Sequence, residues 1–264
     1  MNESEKINML KSNPILIKKI ENPTNEMKLA ALQGNGTVIR YIKNPSEEMN
    51  LVAVKSNIWA IEYIENPTYE IKEYVVKAAW NTLKFIKNPE ESLIIEGINQ
   101  KGWSIQYINN PKIETQRLAI EKDYDSIKYI KNPSEEIQML AIEKNYDAIR
   151  YIEKPTFAAE CFAVERNEAA IKFIRNINND KKIEFLKRNI LFIKYINIEG
   201  LNIENAIKEV ISEEIVSEKY IRDFINCDVI DKSNDNISMD KILFIHKYGS
   251  KRAKSIAVDE MLKF

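Results

Sequence analysis

A 22-residue repeat constrains this chain more than any other feature. Its clearest copy runs from Asn132 to Glu153 and reads NPSEEIQMLAIEKNYDAIRYIE. The positions in register with Asn132 are Asn22, Asn44, Asn66, Asn88, Asn110, Lys154 and Asn176. Proline follows every one of them except Asn176. A fixed period of this size predicts a solenoid, in which each unit packs only against its neighbours.

Each copy predicts two helices. In the Asn132 copy, Asn132 suits the N-cap of the first helix and Pro133 suits its first turn. Glu135 then lies favourably near the positive end of the helix dipole. The first helix covers about a dozen residues and ends near Asn145, because a left-handed C-cap tolerates asparagine. The second helix is shorter and spans residues 147–153.

Two apolar columns recur at the repeat period and predict the core. One is an isoleucine column: Ile20, Ile42, Ile64, Ile86, Ile108, Ile130, Ile152, Ile174 and Ile196. The other lies on the first helix: Leu32, Val54, Val76, Ile98, Ile120, Ile142, Val164 and Leu186. Small residues precede most members of the second column, which allows helices to approach closely: Ala31, Ala53, Gly97, Ala119, Ala141 and Ala163.

These patterns predict an all-α fold, a right-handed α-solenoid of about eight 22-residue two-helix repeats with a helical C-terminal cap. Residues 1–21 are interpreted as an N-terminal capping half repeat, and residues 22–197 as the repeats. Residues 198–264 form either a C-terminal helical cap or a small separate module. Within that segment a loop is expected over 227–237, between helices that precede and follow it.

Composition excludes several function classes. The net charge of −1 argues against a strongly basic nucleic-acid binder and against a strongly acidic nucleic-acid mimic. The two cysteines, Cys161 and Cys227, are too few for a disulfide framework or a metal cluster. The polar N-terminus lacks an apolar signal region, and no apolar run is long enough to span a membrane. The expected location is therefore the cytoplasm, with no membrane contact.

The Asn-Pro steps and the small-plus-aliphatic pairs, such as Ala141-Ile142, resemble the variant leucine-rich repeat family. The resemblance covers residues 14–197, although that family has slightly longer units and some members carry a cysteine cluster. It implies a solenoid in which a longer helix alternates with a short or 3₁₀ helix. The chain is also similar to uncharacterised 22-residue Asn-Pro repeats of phage and low-GC bacterial proteins. That likeness implies a phage-encoded interaction protein that acts on a host factor.

No residues suggest catalysis, a metal or a cofactor. The only histidine, His246, lies in the apolar run ILFIH and is interpreted as a cap or core residue. Cys161 occupies a position held by Leu29, Leu51 and Met139 in other copies, which favours a core role. Gly34-Asn35-Gly36 lacks the lysine and the Ser/Thr of a phosphate-binding loop. We therefore expect a protein that is not an enzyme.

A basic row is the first candidate binding feature. Seven of its nine positions are basic, and the full row is Lys18, Arg40, Glu62, Lys84, Gln106, Lys128, Arg150, Lys172 and Lys194. Each precedes the position of an aromatic column: Tyr41, Tyr63, Phe85, Tyr107, Tyr129, Tyr151, Phe173 and Tyr195. Adjacent basic and aromatic rows suit single-stranded nucleic acid or an acidic protein surface. The alternative is that the basic residues are solvated and the rings are structural.

An aromatic line is the second candidate. All three tryptophans, Trp59, Trp80 and Trp103, fall near the corner between the two helices, and Tyr124 and Tyr146 continue the line. Exposed aromatic residues of this kind anchor protein interfaces. The alternative is that each ring only attaches its corner to the previous unit.

The sequence therefore predicts a macromolecule-binding scaffold or inhibitor. Its first hypothesis is a protein partner held by the aromatic line. Its second is nucleic acid held by the basic row, and a third is self-association. Steep salt dependence would distinguish phosphate contacts from an aromatic-anchored protein contact.

Overall fold

The computed structural model describes residues 2–233 and 237–263, and the described residues contain helices and no strands. Thirteen helices are α-helical: α1 Glu3–Ser12, α2 Asn25–Gly34, α3 Glu47–Ser56, α4 Tyr69–Ala78, α5 Glu91–Gln100, α6 Ile113–Lys122, α7 Glu135–Lys144, α8 Phe157–Arg166, α9 Asn179–Arg188, α10 Ile203–Ser212, α11 Glu218–Ile225, α12 Lys241–Tyr248 and α13 Lys251–Met261. Nine are 3₁₀ helices: η1 Pro14–Lys19, η2 Gly36–Tyr41, η3 Ile58–Tyr63, η4 Trp80–Phe85, η5 Gly102–Tyr107, η6 Tyr124–Tyr129, η7 Tyr146–Tyr151, η8 Glu168–Phe173 and η9 Ile190–Tyr195.

From α1 to η9, a 10-residue α-helix alternates with a 6-residue 3₁₀ helix. The all-α fold class and the regular two-helix pattern are therefore confirmed. The alternation is also the arrangement that the family resemblance implies, and membership of that family stays a prediction. Residues 1–21, interpreted as a half repeat, contain both helix types, α1 and η1.

The asparagine of the Asn-Pro step does not cap the α-helix, contrary to the prediction. It adopts a left-handed backbone in most repeats, with φ of 48° at Asn132, and the N-cap is Ser134, two residues later. The Ser134 hydroxyl accepts a hydrogen bond from the backbone N–H of Ile137. Asparagine tolerates the left-handed region better than most residues do. The Asn-Pro step is thus a turn that precedes the N-cap residue, which is Ser or Thr in α2, α3, α4 and α7 but Glu90 in α5 and Lys112 in α6.

The asparagine after the α-helix was predicted to be left-handed, and it is extended instead. At Asn145, φ is −159°. Its side-chain oxygen accepts a hydrogen bond from the backbone N–H of Asp147 at 2.9 Å, which caps the start of η7. Asn35, Asn57, Asn167 and Asn189 make the equivalent bond in their repeats. In repeats that carry both asparagines, such as the one with Asn132 and Asn145, the two therefore have the reverse of their expected roles.

The contacts divide the chain into two compact units, residues 1–130 and residues 131–264. In the first unit, consecutive α-helices from α1 to α6 contact one another, and consecutive 3₁₀ helices from η1 to η6 do the same. The repeats of this unit therefore form two layers, one of α-helices and one of 3₁₀ helices. The basic and aromatic rows belong to the 3₁₀ layer.

The predicted core columns are confirmed. Every member of the column from Leu32 to Leu186 is fully buried, and most of the isoleucine column is buried as well. A further buried column occupies the fourth position of the 3₁₀ helices and was not singled out from the sequence. It consists of Ile17, Ile39, Ile61, Leu83, Ile105, Ile127, Ile149 and Ile193.

In the second unit, the C-terminal helices pack against the last repeat. Helix α10 contacts α9, α11 contacts η9, and α12 and α13 pack on α10 and α11. The predicted loop over 227–237 agrees with the structure where it is described; residues 234–236 of it lie outside the described residues.

Glu260 on α13 joins this helix to α11. Its carboxylate accepts hydrogen bonds from Lys263 at 2.9 Å and Asn226 at 3.0 Å, and it pairs with Arg222. The hydrogen bonds from Lys263 and Asn226, helped by Arg222, outweigh burial and lower the pKa of Glu260 to about 2. A carboxyl group with a lowered folded-state pKa stabilises the fold above its unfolded pKa of about 4.3 and loses that contribution toward pH 2.

We expect Glu260→Gln to unfold at a lower urea concentration than the unmodified protein at pH 7. The difference should shrink as pH falls from about 4.5 toward 2, because the carboxylate is protonated there. Urea titrations between pH 7 and pH 2 measure it. Asp259→Asn is the control, since Asp259 is an exposed neighbour with no ion pair in the described part of the chain. A difference that persists unchanged at pH 2 would contradict the role of the charge.

Candidate binding face on the 3₁₀ helices

The basic row occupies the fifth position of each 3₁₀ helix, and the aromatic column occupies the sixth. All the basic residues of the row are exposed except Lys128, which is half-buried. In the aromatic column, Tyr41 and Tyr195 are exposed and the other rings are half-buried. The structure thus places both predicted rows side by side on the outer face of the 3₁₀ layer.

Most of the cations lie against aromatic rings of consecutive repeats. In the first unit, the Arg40 guanidinium carbon lies 4.9 Å from the Tyr41 ring centroid and 5.5 Å from that of Tyr63. Lys84 Nζ lies 4.6 Å from the Phe85 centroid and 5.6 Å from that of Trp59. These distances are typical of cation–π interactions. We call this interleaved set of side chains the cation–aromatic ladder.

The same arrangement recurs elsewhere in the ladder. Lys18 lies over Tyr41, Lys128 over Trp103 and Tyr129, Arg150 over Tyr151 and Phe173, and Lys172 over Tyr195. The cations therefore cover faces of the rings, and the aromatic column is packed between neighbouring repeats.

Carboxylates neutralise only part of the basic row. Lys128 pairs with Asp125 at 2.9 Å, Arg150 with Asp147 at 3.0 Å and Lys194 with Asp228 at 3.3 Å. Within the described residues, no carboxylate lies within ion-pair distance of the other four basic residues. These are Lys18, Arg40, Lys84 and Lys172. Three of the four belong to the first unit, so that unit presents most of the uncompensated positive charge of the row.

The five residues of the predicted aromatic line do not share one position of the repeat. Trp59 and Trp103 are the second residues of η3 and η5, whereas Trp80, Tyr124 and Tyr146 are the first residues of η4, η6 and η7. The spacing from Trp59 to Trp80 is one residue short of the repeat, so Asn81 is the true counterpart of Trp59. The five residues therefore occupy two different positions of the 3₁₀ helix.

Each tryptophan packs against the aromatic residue of the following repeat. The ring centroids of Trp59 and Phe85 are 6.4 Å apart, and those of Trp80 and Tyr107 are 6.1 Å apart and stacked. Trp103 meets Tyr129 edge-on at 6.1 Å. Trp59 remains 37% exposed, whereas Trp80 and Trp103 are half-buried, as are Tyr124 and Tyr146. Of the five predicted anchors, Trp59 offers the most surface to a partner.

Asp125 links the two features in the first unit. It accepts a hydrogen bond from Nε1 of Trp103 at 2.7 Å and pairs with Lys128. Burial opposes its ionisation, but the hydrogen bonds from Trp103 and Lys128 prevail and lower the pKa of Asp125. Sequence reasoning missed this neutralising role. The three-residue spacing from Asp125 to Lys128, repeated from Asp147 to Arg150, was the available signal.

The residues considered for catalysis are not members of the basic row or the aromatic column. His246 is exposed on α12, and Cys161 is buried on α8, where burial raises the pKa of its thiol. Gly34 ends α2 and Gly36 begins η2, so no phosphate-binding loop joins them. Among the described residues, no three His, Cys, Asp or Glu side chains are placed to hold a metal ion. None of the described helices combines the length and apolar character needed to cross a bilayer.

Comparison with models of protein families, with curated proteins and with solved structures finds no match to this chain.

Proposed function

We propose that the chain is a non-enzymatic binding protein, a right-handed α-solenoid whose 3₁₀ layer contacts a protein partner in the cytoplasm. The cation–aromatic ladder of residues 1–130 forms the contact, with Trp59 as its aromatic anchor. The partner carries acidic side chains that meet the exposed cations. The stacking of consecutive helices within each unit supports the solenoid.

One observation carries the proposal. Lys18, Arg40 and Lys84 are exposed on η1, η2 and η4. No carboxylate among the described residues lies close enough to form an ion pair with them. They are preorganised by the rings beneath them, and Arg40 also donates a hydrogen bond to the Tyr63 hydroxyl at 3.4 Å. Trp59 and Tyr41 are 37% and 39% exposed beside these cations. Arginine and exposed aromatic residues are enriched at the energetic centres of protein interfaces.

Nucleic acid is the second candidate, because basic residues next to aromatic rings can follow a phosphate backbone. Two features favour a protein instead. Cations already lie over most of the rings on which bases would stack, and Glu62 interrupts the row between Arg40 and Lys84. A phosphate backbone has no positive group to place against Glu62.

The decisive experiment is affinity capture from a lysate with the double variant Arg40→Glu/Lys84→Glu beside the unmodified protein. The matched control is Lys11→Glu/Lys55→Glu, which makes the same charge change at exposed positions of α1 and α3. We expect a protein retained by the unmodified chain and the control to be depleted at least about tenfold by the double variant, because two ion pairs become repulsive. The bound fraction should survive nuclease treatment.

Equal retention by the double variant and the unmodified chain would overturn the proposed face. Recovery of nucleic acid, or binding that nuclease abolishes, would transfer the function to the second candidate. Sedimentation of the purified chain reports the third possibility, in which the captured protein is a further copy of the chain. Circular dichroism of each variant confirms that the helices are intact.

A further inference from the structure

The ladder carries an ordered charge pattern over its first four rungs, where a rung is the fifth residue of a 3₁₀ helix. The fifth positions of η1, η2, η3 and η4 are Lys18, Arg40, Glu62 and Lys84, and all four are exposed. Each of these short helices contacts the next. The face therefore presents positive, positive, negative and positive groups in a fixed order, one from each successive 3₁₀ helix. Glu62 has no ion pair with the described residues, so its charge is also uncompensated.

The ladder contacts set an upper limit on the spacing of the rungs. The Arg40 guanidinium carbon is 4.9 Å from one ring centroid and 5.5 Å from the ring centroid of the next repeat. Those two centroids are therefore at most about 10 Å apart, and the 8–10 Å that usually separates packed helices satisfies this upper limit. A ligand that meets every rung must repeat its own charges at this interval.

Extended chains differ in whether they meet this interval on one face. A polyproline II helix has three residues per turn and a rise of about 3.1 Å, so every third side chain returns to the same face after about 9 Å. In a β-strand, successive side chains alternate between faces at about 3.3 Å per residue, so residues three apart point in opposite directions. A polyproline II segment therefore matches the ladder in both spacing and direction.

We infer that the ladder of residues 1–130 recognises a polyproline II segment of its partner that carries acidic residues at three-residue intervals. Opposite Glu62 the segment carries a basic residue, which gives the pattern acidic-x-x-acidic-x-x-basic-x-x-acidic in one chain direction or the other. This inference rests on the proposed function and specifies the ligand of the same face. Exposed ion pairs are individually weak and are screened by salt, so the complex is expected to be salt-sensitive.

The inference can be tested with fluorescein-labelled peptides and the full chain, by fluorescence anisotropy at low ionic strength. One peptide has Glu at positions 1, 4 and 10 and Lys at position 7 in a proline-rich background. A second has the reverse order, and a third is a scramble of the same composition. A fourth is a helix-forming peptide with the same charges seven residues apart, since seven helical residues also span about 10.5 Å.

We expect the first or the second peptide to bind at least tenfold more tightly than the scramble. Glu62→Lys should reverse the preference at position 7, so that a peptide with Glu there binds more tightly than the one with Lys. Glu62 is exposed and forms no ion pair in the described part of the molecule, so this variant should fold normally. This charge reversal distinguishes recognition of the order of charges along the peptide from a general attraction to acidic peptides.

Equal affinity for the patterned and scrambled peptides would overturn the inference, as would tighter binding of the helical peptide. An unchanged preference in Glu62→Lys would do the same. The proposed function would still stand in those cases if Arg40→Glu/Lys84→Glu loses its partner from the lysate. Retention of the partner by that double variant would contradict both the proposed function and the polyproline II inference.

Discussion

Phe185→Ala is expected to lower the free energy of unfolding by about 3–5 kcal/mol, the range for truncating a fully buried phenylalanine. Phe185 on α9 is 0% exposed. Its ring centroid lies 5.5 Å from that of Phe192 and 6.1 Å from that of Phe157. Alanine would leave a cavity and would remove both aromatic contacts, and the surrounding helices can relax only partly.

Urea denaturation followed by circular dichroism measures this loss. Phe157→Ala is the matched control, because Phe157 belongs to the same aromatic cluster but is 46% exposed. Its truncation should cost clearly less than that of Phe185. Equal costs for the two variants would show that burial does not account for the effect. The unit of residues 131–264 should respond more strongly than that of residues 1–130 if the two units unfold separately.

Gly36→Ala is expected to destabilise the first unit by about 3 kcal/mol, the upper part of the range for overpacking. A Cβ atom at Gly36 would lie 1.9 Å from the carbonyl oxygen of Ala53 and 2.7 Å from its carbonyl carbon. Both atoms belong to the backbone of α3, so no side-chain rotation relieves the clash. Helix η2 must move away from α3, and the hydrogen bond from the Gly36 N–H to Ser56 Oγ at 3.2 Å is weakened.

The control for this prediction is Thr37→Ala, the next residue of the same helix. Thr37 is only half-buried, and its hydroxyl donates one exposed hydrogen bond to Asn35. The control should cost no more than about 1 kcal/mol. A Gly36→Ala protein as stable as the control would mean that η2 and α3 separate freely. The midpoint of urea unfolding reports both variants.

The period was enough to predict the all-helical class and the regular alternation of a longer and a shorter helix. Hydrophobic residues that recur every 22 positions must share one environment, and the columns through Leu32 and Ile42 are buried as expected. The roles of the two asparagines were not predictable in the same way. Asparagine suits both an N-cap and a left-handed turn, so its identity does not choose between them. The Ser or Thr that follows four of the repeat's six Asn-Pro steps was the better signal, because proline fits before a cap as well as after it.

The candidate site was predictable in part. The repeat period placed the basic and aromatic rows next to each other, and the structure does the same. The sequence could not show that Arg40 and Lys84 lie against rings of neighbouring repeats, because that depends on the direction of side chains across repeats. It also suggested one line of tryptophans, although Trp80 is one position out of register with Trp59 and Trp103. A one-residue offset changes the neighbours of a side chain in a tightly wound 3₁₀ helix.

The left-handed asparagines have a consequence for how such a chain is encoded. Left-handed turns usually call for glycine, whose codons are rich in G, yet Asn22, Asn44, Asn88, Asn110, Asn132 and Asn176 fill this role here. The chain has six glycines in all, and among those described only Gly200 has a positive φ. Asparagine codons begin with two adenines. A gene poor in G and C can therefore add one repeat after another, and its nucleotide bias supplies the residue that each turn requires.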